Sequence, residues 1–562
     1  MKGTLIKKFL LFLLCAFVST QSFGASYPPI TDLKGNGLAV STHELADAIG
    51  QRVLDSGGNA IDAAVAVGYA LSVVHPAAGN IGGGGFALIH LANGQNIALD
   101  FREVAPKKAT RDMYLDKNGE VVEDLSVVGY LAAGVPGTVK GMSAMLDKYG
   151  TKKLAELIAP AIELADKGFA ITERQAQTML EARSNLAKFA SSKKYFLKPD
   201  GTPYKQGEKL VQKDLAKTLR LIADKGADAF YKGEIATLIE ADMKKNGGII
   251  TKADLANYEV VWRKPVEGTY RGYKILSMSP PSSGGTHIIQ ILNTIENTNI
   301  AQYGYQSSQA IHIIAEAMRQ AYADRSEYMG DPAFVKIPLD KLLSKAYAKS
   351  IYANITPNAT PSSQVKPGLG PIHEGNNTTH YSVADKWGNA VSVTYTINGS
   401  FGAYAAIDGA GFLLNNEMDD FSIKPGVPNQ YGLVGGDANA IEPGKRPLSS
   451  MSPTIVLDKS GKLYMVVGSP GGARIITTVL QVIINVIDYK MDIARAVESS
   501  RFHLQWLPDE LRLEAFGLGQ DTKDNLKKMG YKLVELPDMG DVNAILIDSG
   551  KMQGAHDPRT EF

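Results

Sequence analysis

Asn377-Thr378-Thr379-His380-Tyr381-Ser382 joins a stretch without apolar pattern to a strand whose first residue carries a hydroxyl. Residues 356–377, before it, are rich in Pro, Gly, Ser and Asn and read as a loop or flexible tail. Residues 378–384 and 390–396 read as strands flanking Asp385-Lys386-Trp387-Gly388, a hairpin loop signature. Two readings of Thr378 stand on this pattern. It can simply open a strand, where Thr is a common residue. Alternatively, the peptide bond before it is cut, and Thr378 then carries both a hydroxyl and a free α-amine. That amine has a reference pKa of ~7.7–8.0, so near neutrality part of it accepts the hydroxyl proton. One residue would then supply nucleophile and base, with no need of Cys or a catalytic His.

Outward on the C-terminal side, a second strand pair at 454–457 and 463–467 flanks Asp458-Lys459-Ser460-Gly461. A buried helix is expected over 473–488, apolar on most of its surface. Between strand and helix lies Gly468-Ser469-Pro470-Gly471-Gly472, either an anion site of glycine amides suited to an oxyanion or a tight strand-to-helix turn. The phosphate-loop pattern Gly-x-x-x-x-Gly-Lys-Ser/Thr is absent. Pro447-Leu448-Ser449-Ser450-Met451-Ser452-Pro453 pairs hydroxyls that can hold a carboxylate or make local turn bonds, and it lacks a Gly-x-Ser-x-Gly elbow. Asn415-Asn416-Glu417-Met418-Asp419-Asp420 is acidic, suited to a cation or ammonium, or else a solvated loop. The nine His residues include no His-Glu-x-x-His or comparable spacing, which points away from a metal.

On the N-terminal side, Ser41-Thr42-His43-Glu44 reads as a capping box for a helix ending at Gly57-Gly58. Asn59 caps a second helix, stopped by His75-Pro76. The run from Gly79 through Gly82-Gly83-Gly84-Gly85 lacks the strand-then-helix context of a dinucleotide fingerprint and is expected to let backbone pack closely. Strands at 86–91 and 97–101 around Asn93-Gly94 deliver Arg102 at their end. Residues 137–350 read mainly as helices with loops, among them 151–165, 213–225 and 312–324, with polar faces that look solvated. No repeat or low-complexity linker marks a domain boundary there. Hairpin-rich strand sets combined with helices suggest an α/β (α+β) protein whose sheets pack between helical layers.

The 562 residues are 44% hydrophobic and 21% charged, enough for a large core. A formal charge of +1 gives no basic surplus to neutralise phosphates, which argues against a nucleic-acid partner. The single Cys15 excludes disulfide frameworks, zinc ribbons and Cys-ligated clusters. Residues 1–24 have the make-up of a signal peptide. Lys2, Lys7 and Lys8 precede an apolar stretch at 9–18, too short to span a membrane, and Ser22 and Gly24 suit a cleavage site before Ala25. Losing that segment removes three lysines, taking the charge from +1 to −2, and leaves a thiol-free, exported chain without a membrane span, in the periplasm or secreted.

Several of these stretches, in this order, resemble the γ-glutamyltranspeptidase family, from about Gly37 to Arg559. They are Gly57-Gly58-Asn59-Ala60-Ile61-Asp62-Ala63-Ala64, residues 75–85, Asp100-Phe101-Arg102-Glu103, and residues 378–383, 415–421, 447–453 and 469–472. The resemblance implies an N-terminal-nucleophile hydrolase fold, a four-layer αββα sandwich. It also implies a precursor that cleaves itself between Asn377 and Thr378 into fragments 25–377 and 378–562, which together form one structural unit. By the same resemblance Thr378 is the nucleophile of both reactions and Thr396 orients it. Arg102, Ser449 and Ser450 clamp the substrate α-carboxylate, while Asn398, Glu417 and Asp420 hold its α-ammonium. Gly471 and Gly472 donate to the oxyanion. Residues 425–436, with Tyr431, correspond to the family's lid loop. Many relatives carry Gln where Glu417 stands, so the charge of the ammonium site differs here.

The implied reaction is attack of Thr378 on the γ-carbonyl of glutathione, glutamine or a related γ-glutamyl compound. The γ-glutamyl group then passes to water or to an amino acid or peptide amine, with no cofactor or metal. Two other readings are a same-fold acylase for glutaryl-type groups and a non-catalytic amino-acid-binding protein. The acylase would tolerate Asp420→Ala; the binding protein would not need the cut at Thr378.

Overall fold

The structure, a computed structural model, describes residues 29–366, 378–424, 427 and 436–559. The expected signal peptide, Asn377 and Tyr431 lie outside the described residues. The chain is a mixed α/β protein with two large antiparallel sheets. The six-stranded sheet runs, in spatial order, through Gly37–Val40, Thr379–Asp385, Ala390–Thr396, Gly84–His90, Asn96–Phe101 and Val261–Arg263. The seven-stranded sheet has Leu463–Gly468 and Thr454–Leu457 near its centre, with Asn543–Asp548 beside the first and Tyr273–Ser277 beside the second.

Alternation along the strands decides what each face meets. Tyr381 and Val383, with Val391, Val393 and Tyr395, join a core cluster with the wholly buried helix Ala60–Val74. Residues between them point the other way, at the second sheet. Ser382 Oγ donates to the Asn543 carbonyl at 2.9 Å and Ser392 Oγ to that of Val467 at 3.3 Å. His380 packs so closely on Gly468 that a Cβ there would lie 2.3 Å from its ring. Helices Gly284–Ile295 and Arg474–Ile487 belong to the core cluster of the second sheet.

Helix Ala60–Val74 opens as its sequence directs. Asn59 accepts from the amides of Ile61 and Asp62, and the Asp62 carboxylate returns a bond to Asn59 N–H at 2.9 Å. Asp62 also accepts from Thr151 N–H, Lys152 N–H and the Thr151 hydroxyl while fully buried. Asp62→Ala leaves these donors unmatched, at a cost of ~2–4 kcal/mol. Its thermal unfolding transition is expected several degrees below that of the unaltered protein.

Three features depart from the sequence reading. The first helix begins at Glu44 with His43, not Ser41, as its cap: Ser41 directly follows a strand and bonds locally to His43, whose Nδ1 accepts from Leu45 N–H. The region 137–350 is not only helical, since Val261–Arg263, Val266–Tyr270 and Tyr273–Ser277 are strands. The first edges the six-stranded sheet; after Lys264-Pro265 the chain crosses to edge the seven-stranded one. Finally, the helix read at 312–324 spans Ser308–Tyr328, and its polar residues Glu316, Arg319, Asp324 and Arg325 are buried, not solvated. Among the described residues no helix is long and apolar enough to cross a membrane.

Candidate active site

Strand register assembles the site. Thr379 pairs with Tyr395, which sets Thr378 beside Thr396; Thr396 pairs with Gly84, and Gly85 with Phe101, which sets Arg102 next in line. Thr378, Thr396, Gly84 and Arg102 thus cross one end of the six-stranded sheet. Close approach demands the glycines there: a Cβ at Gly83 would lie 1.9 Å from the Thr396 carbonyl oxygen. The second sheet opens at the same end, where Ser449 and Ser450 lead into Thr454–Leu457 and Gly471 and Gly472 follow Leu463–Gly468.

One pocket is lined by Thr378, Thr396, Asn398, Arg102, Glu417, Asp420, Ser449, Ser450 and Gly472. Gly471, the remaining described member of the expected set, adjoins Gly472. Thr378 Oγ1 lies 3.4 Å from Thr396 Oγ1, which in turn accepts from Asn398 N–H at 2.8 Å. Thr379 shares a 2.8 Å hydroxyl contact with Thr42, tying the start of this strand to the N-terminal part of the chain. Gly471 and Gly472 have φ of +130° and +57°, a backbone that side chains rarely adopt, and they lead into helix Arg474–Ile487. That helix start offers amides to a developing negative charge.

Arg102 is 1% exposed and organises the charge. Nη2 pairs with Asp420 at 2.5 Å, Nη1 pairs with Glu417, and the guanidinium also reaches the carbonyls of Pro447 and Leu448 at 3.3 Å. Glu417 and Asp420 sit in a buried 3-10 turn, Glu417–Asp420, not in a solvated loop. Burial pushes both carboxyls up from their ordinary values, and Arg102 opposes the rise. Their neighbours in the same motif hold the backbone: Asn415 bonds Gly82 and Gly134, and Asp419 accepts from Ser126 at 2.6 Å. A guanidinium and two carboxylates in one pocket suit a small ligand carrying both signs of charge.

Sequence reasoning missed Arg325, which lines the pocket and donates to Ser283 Oγ at 2.9 Å and Ser450 Oγ at 3.0 Å. No signal in the sequence marked it, because helix Ser308–Tyr328 spreads its charged residues among apolar ones and only packing buries Arg325. Met451 and Ile475 supply apolar wall. Among the described residues no group of three His, Cys, Asp or Glu could hold a metal ion.

Antiparallel sheets whose shared end carries a strand-initial hydroxyl, a glycine turn and a charged clamp define an α/β protein with the equipment for acyl transfer. Its family follows from the sequence. The profile of the Gamma-glutamyltranspeptidase family matches residues 46–561, and the chain belongs to that family. It is 54% identical over 527 residues to the glutathione hydrolase proenzyme of Escherichia coli K12, covering 93% of this chain and 90% of that one. The crystal structure of Helicobacter pylori γ-glutamyltranspeptidase matches at 67% identity with a TM-score of 0.59, covering 61% of this chain and 98% of that chain. A cephalosporin acylase from Bacillus halodurans shares the architecture, with a TM-score of 0.84 at 27% identity over 96% of this chain and 98% of that one.

Proposed function

We propose that the protein is an exported γ-glutamyltranspeptidase and glutathione hydrolase that cuts itself between Asn377 and Thr378. In this reading the mature enzyme consists of fragments 25–377 and 378–562 in one four-layer αββα unit of the N-terminal-nucleophile type. The observation that carries it is the convergence of Thr378, at the start of its strand, with the Arg102–Glu417–Asp420 clamp in one pocket. The extent of the Helicobacter pylori match supports a break in the chain: a solved chain covered almost entirely accounts for 61% of this one, close to the share of residues 25–377. The Escherichia coli relative is by name a proenzyme.

A γ-glutamyl compound presents an α-carboxylate and an α-ammonium to the clamp. Its carboxylate takes Arg102, with Ser449 and Ser450 adding hydroxyl donors, and its ammonium takes Asn398, Glu417 and Asp420. The ion pairs of Arg102 with Glu417 and Asp420 are thereby exchanged for ion pairs with the substrate. The side chain of the substrate then carries its γ-carbonyl towards Thr378. The α-amine of Thr378 accepts the hydroxyl proton, and Thr396 holds Oγ1 in position. Oγ1 bonds to the carbonyl carbon, and the charge gathering on oxygen meets the amides of Gly471 and Gly472. Collapse expels the amine with the proton from Thr378 and leaves a γ-glutamyl ester. Water or an amino acid or peptide amine takes the group by the reverse steps.

The test is release of glutamate from glutathione by the purified protein, and formation of a γ-glutamyl dipeptide when an amino acid is added. Hydrolysis of a glutaryl amide in preference to glutathione would instead favour the acylase reading, to which the cephalosporin acylase likeness lends its support.

A further inference from the structure

Glu103 lies directly behind Arg102 and is wholly buried, yet neither carboxylate oxygen meets a hydrogen-bond donor in good geometry. Two glycines leave it room: a Cβ at Gly84 would lie 2.8 Å from Glu103 Oε2, and one at Gly134 would lie 3.0 Å from its Cβ. An ionised carboxylate placed this way is costly unless a cation faces it closely. Arg102 Nη1 stands 3.7 Å from Oε2, but the same nitrogen already donates to Glu417. Glu417 itself keeps one oxygen, Oε2, unmatched. The other arm of the guanidinium serves Asp420. Three buried carboxyls therefore compete for one guanidinium, and Glu103 has the poorest share.

The remaining groups facing Glu103 do not relieve it. Asp100, on the adjoining strand, adds like charge and is itself paired with Arg263 and Arg446. Tyr258, whose hydroxyl donates to the Arg102 carbonyl at 2.9 Å, and Tyr231 stand on the helical side, both held neutral by burial, which drives their phenols far above the ordinary value. Arg325 acts on Asp420 instead.

We infer that Glu103 is a proton-holding positioning residue, taking a proton from solvent when the amino-acid end of a γ-glutamyl compound enters the pocket and returning it on release. The inference rests on the function proposed above. Burial raises Glu417 and Asp420 as well, but the substrate ammonium replaces Arg102 as their partner and goes on opposing that rise in the complex. Glu103 receives no such replacement. It loses part of the field of Arg102 to the substrate carboxylate and gains that anion as a neighbour. An O–H bond forms on Glu103, with the proton arriving from solvent through the pocket, and no other covalent bond changes.

Burial already pushes this carboxyl up to about 7, with Arg102 and its own backbone N–H opposing the rise. Weaker opposition in the complex moves it higher. The bound form then holds the proton more tightly than the free form. Affinity is therefore greatest at low pH and weakens as pH rises through about 7, by up to ~tenfold per pH unit.

Calorimetric titration of the mature protein with L-glutamate, near pH 7.5 in two buffers of different ionisation heat, reads the exchange directly. The wild-type protein is expected to take up as much as one proton per glutamate. Glu103→Gln, a neutral isostere whose self-cleavage reports its folding, is expected to take up none and to bind glutamate with little pH dependence. The α-amine of Thr378 titrates in the same range but is present in both proteins, so it does not account for a difference. Glutamate binding to wild type without proton exchange overturns the inference and leaves the proposed function standing; uptake undiminished in Glu103→Gln overturns it as well. If Glu103→Gln does not fold, a glutamate affinity of the wild type that is flat across this pH range overturns it. Wild-type protein that binds no glutamate at all removes the proposed function and the inference with it.

Discussion

Thr378→Ala is expected to remain one uncleaved chain and to lose γ-glutamyl transfer by a factor of about 10⁴ or more, the scale of removing a covalent nucleophile. Two losses coincide in this variant. Without the hydroxyl there is no attack on the preceding peptide bond, so no α-amine is released; without either group the pocket binds substrate but forms no ester. Thr378→Ser separates the two. It keeps hydroxyl and amine, lacks only the methyl group, and is expected to cleave and to retain measurable activity. Electrophoresis of the two variants beside wild type, with a glutamate-release assay on each, checks the pair. An Ala variant that cleaves normally would mean that Thr378 only opens its strand.

The second large effect is at the clamp. Asp420 pairs with Arg102 at 2.5 Å inside the pocket, and Asp420→Ala removes one of two carboxylates proposed for the substrate ammonium. Truncating one partner of a buried, hydrogen-bonded charge pair costs ~2–5 kcal/mol, so kcat/KM for glutathione is expected to fall by about 10²–10³, carried mainly by KM. A glutaryl donor has no ammonium and is expected to lose far less. Measured with both donors, the variant thus distinguishes a γ-glutamyl enzyme from a same-fold acylase. An equal, small loss on both would argue for the acylase.

Elements with a strong local cause were legible in the sequence. Asn59 caps its helix as read, helix Lys213–Lys225 has the bounds its periodicity predicts, and the three hairpins pair around their turns. Elements defined by partners far along the chain were not. Val261–Arg263, Val266–Tyr270 and Tyr273–Ser277 are short and interrupted by Lys264-Pro265, so their pairing with sheet edges decides them, not propensity. Helix Ser308–Tyr328 spreads its charges among apolar residues, and only tertiary packing reveals that Arg319 and Arg325 are buried. The pocket divides along the same line. Its motifs could be quoted from the sequence, whereas the competition of Glu103, Glu417 and Asp420 for Arg102 is a fact of distance.

The central claim is that Thr378 becomes the first residue of a fragment that carries its own nucleophile and base. Intact mass and N-terminal sequencing of the purified wild-type protein test it most directly. The account predicts two fragments of roughly two to one in residue number, the smaller beginning with Thr378. A single chain that stays intact on prolonged incubation, or a smaller fragment beginning at any other residue, would contradict it.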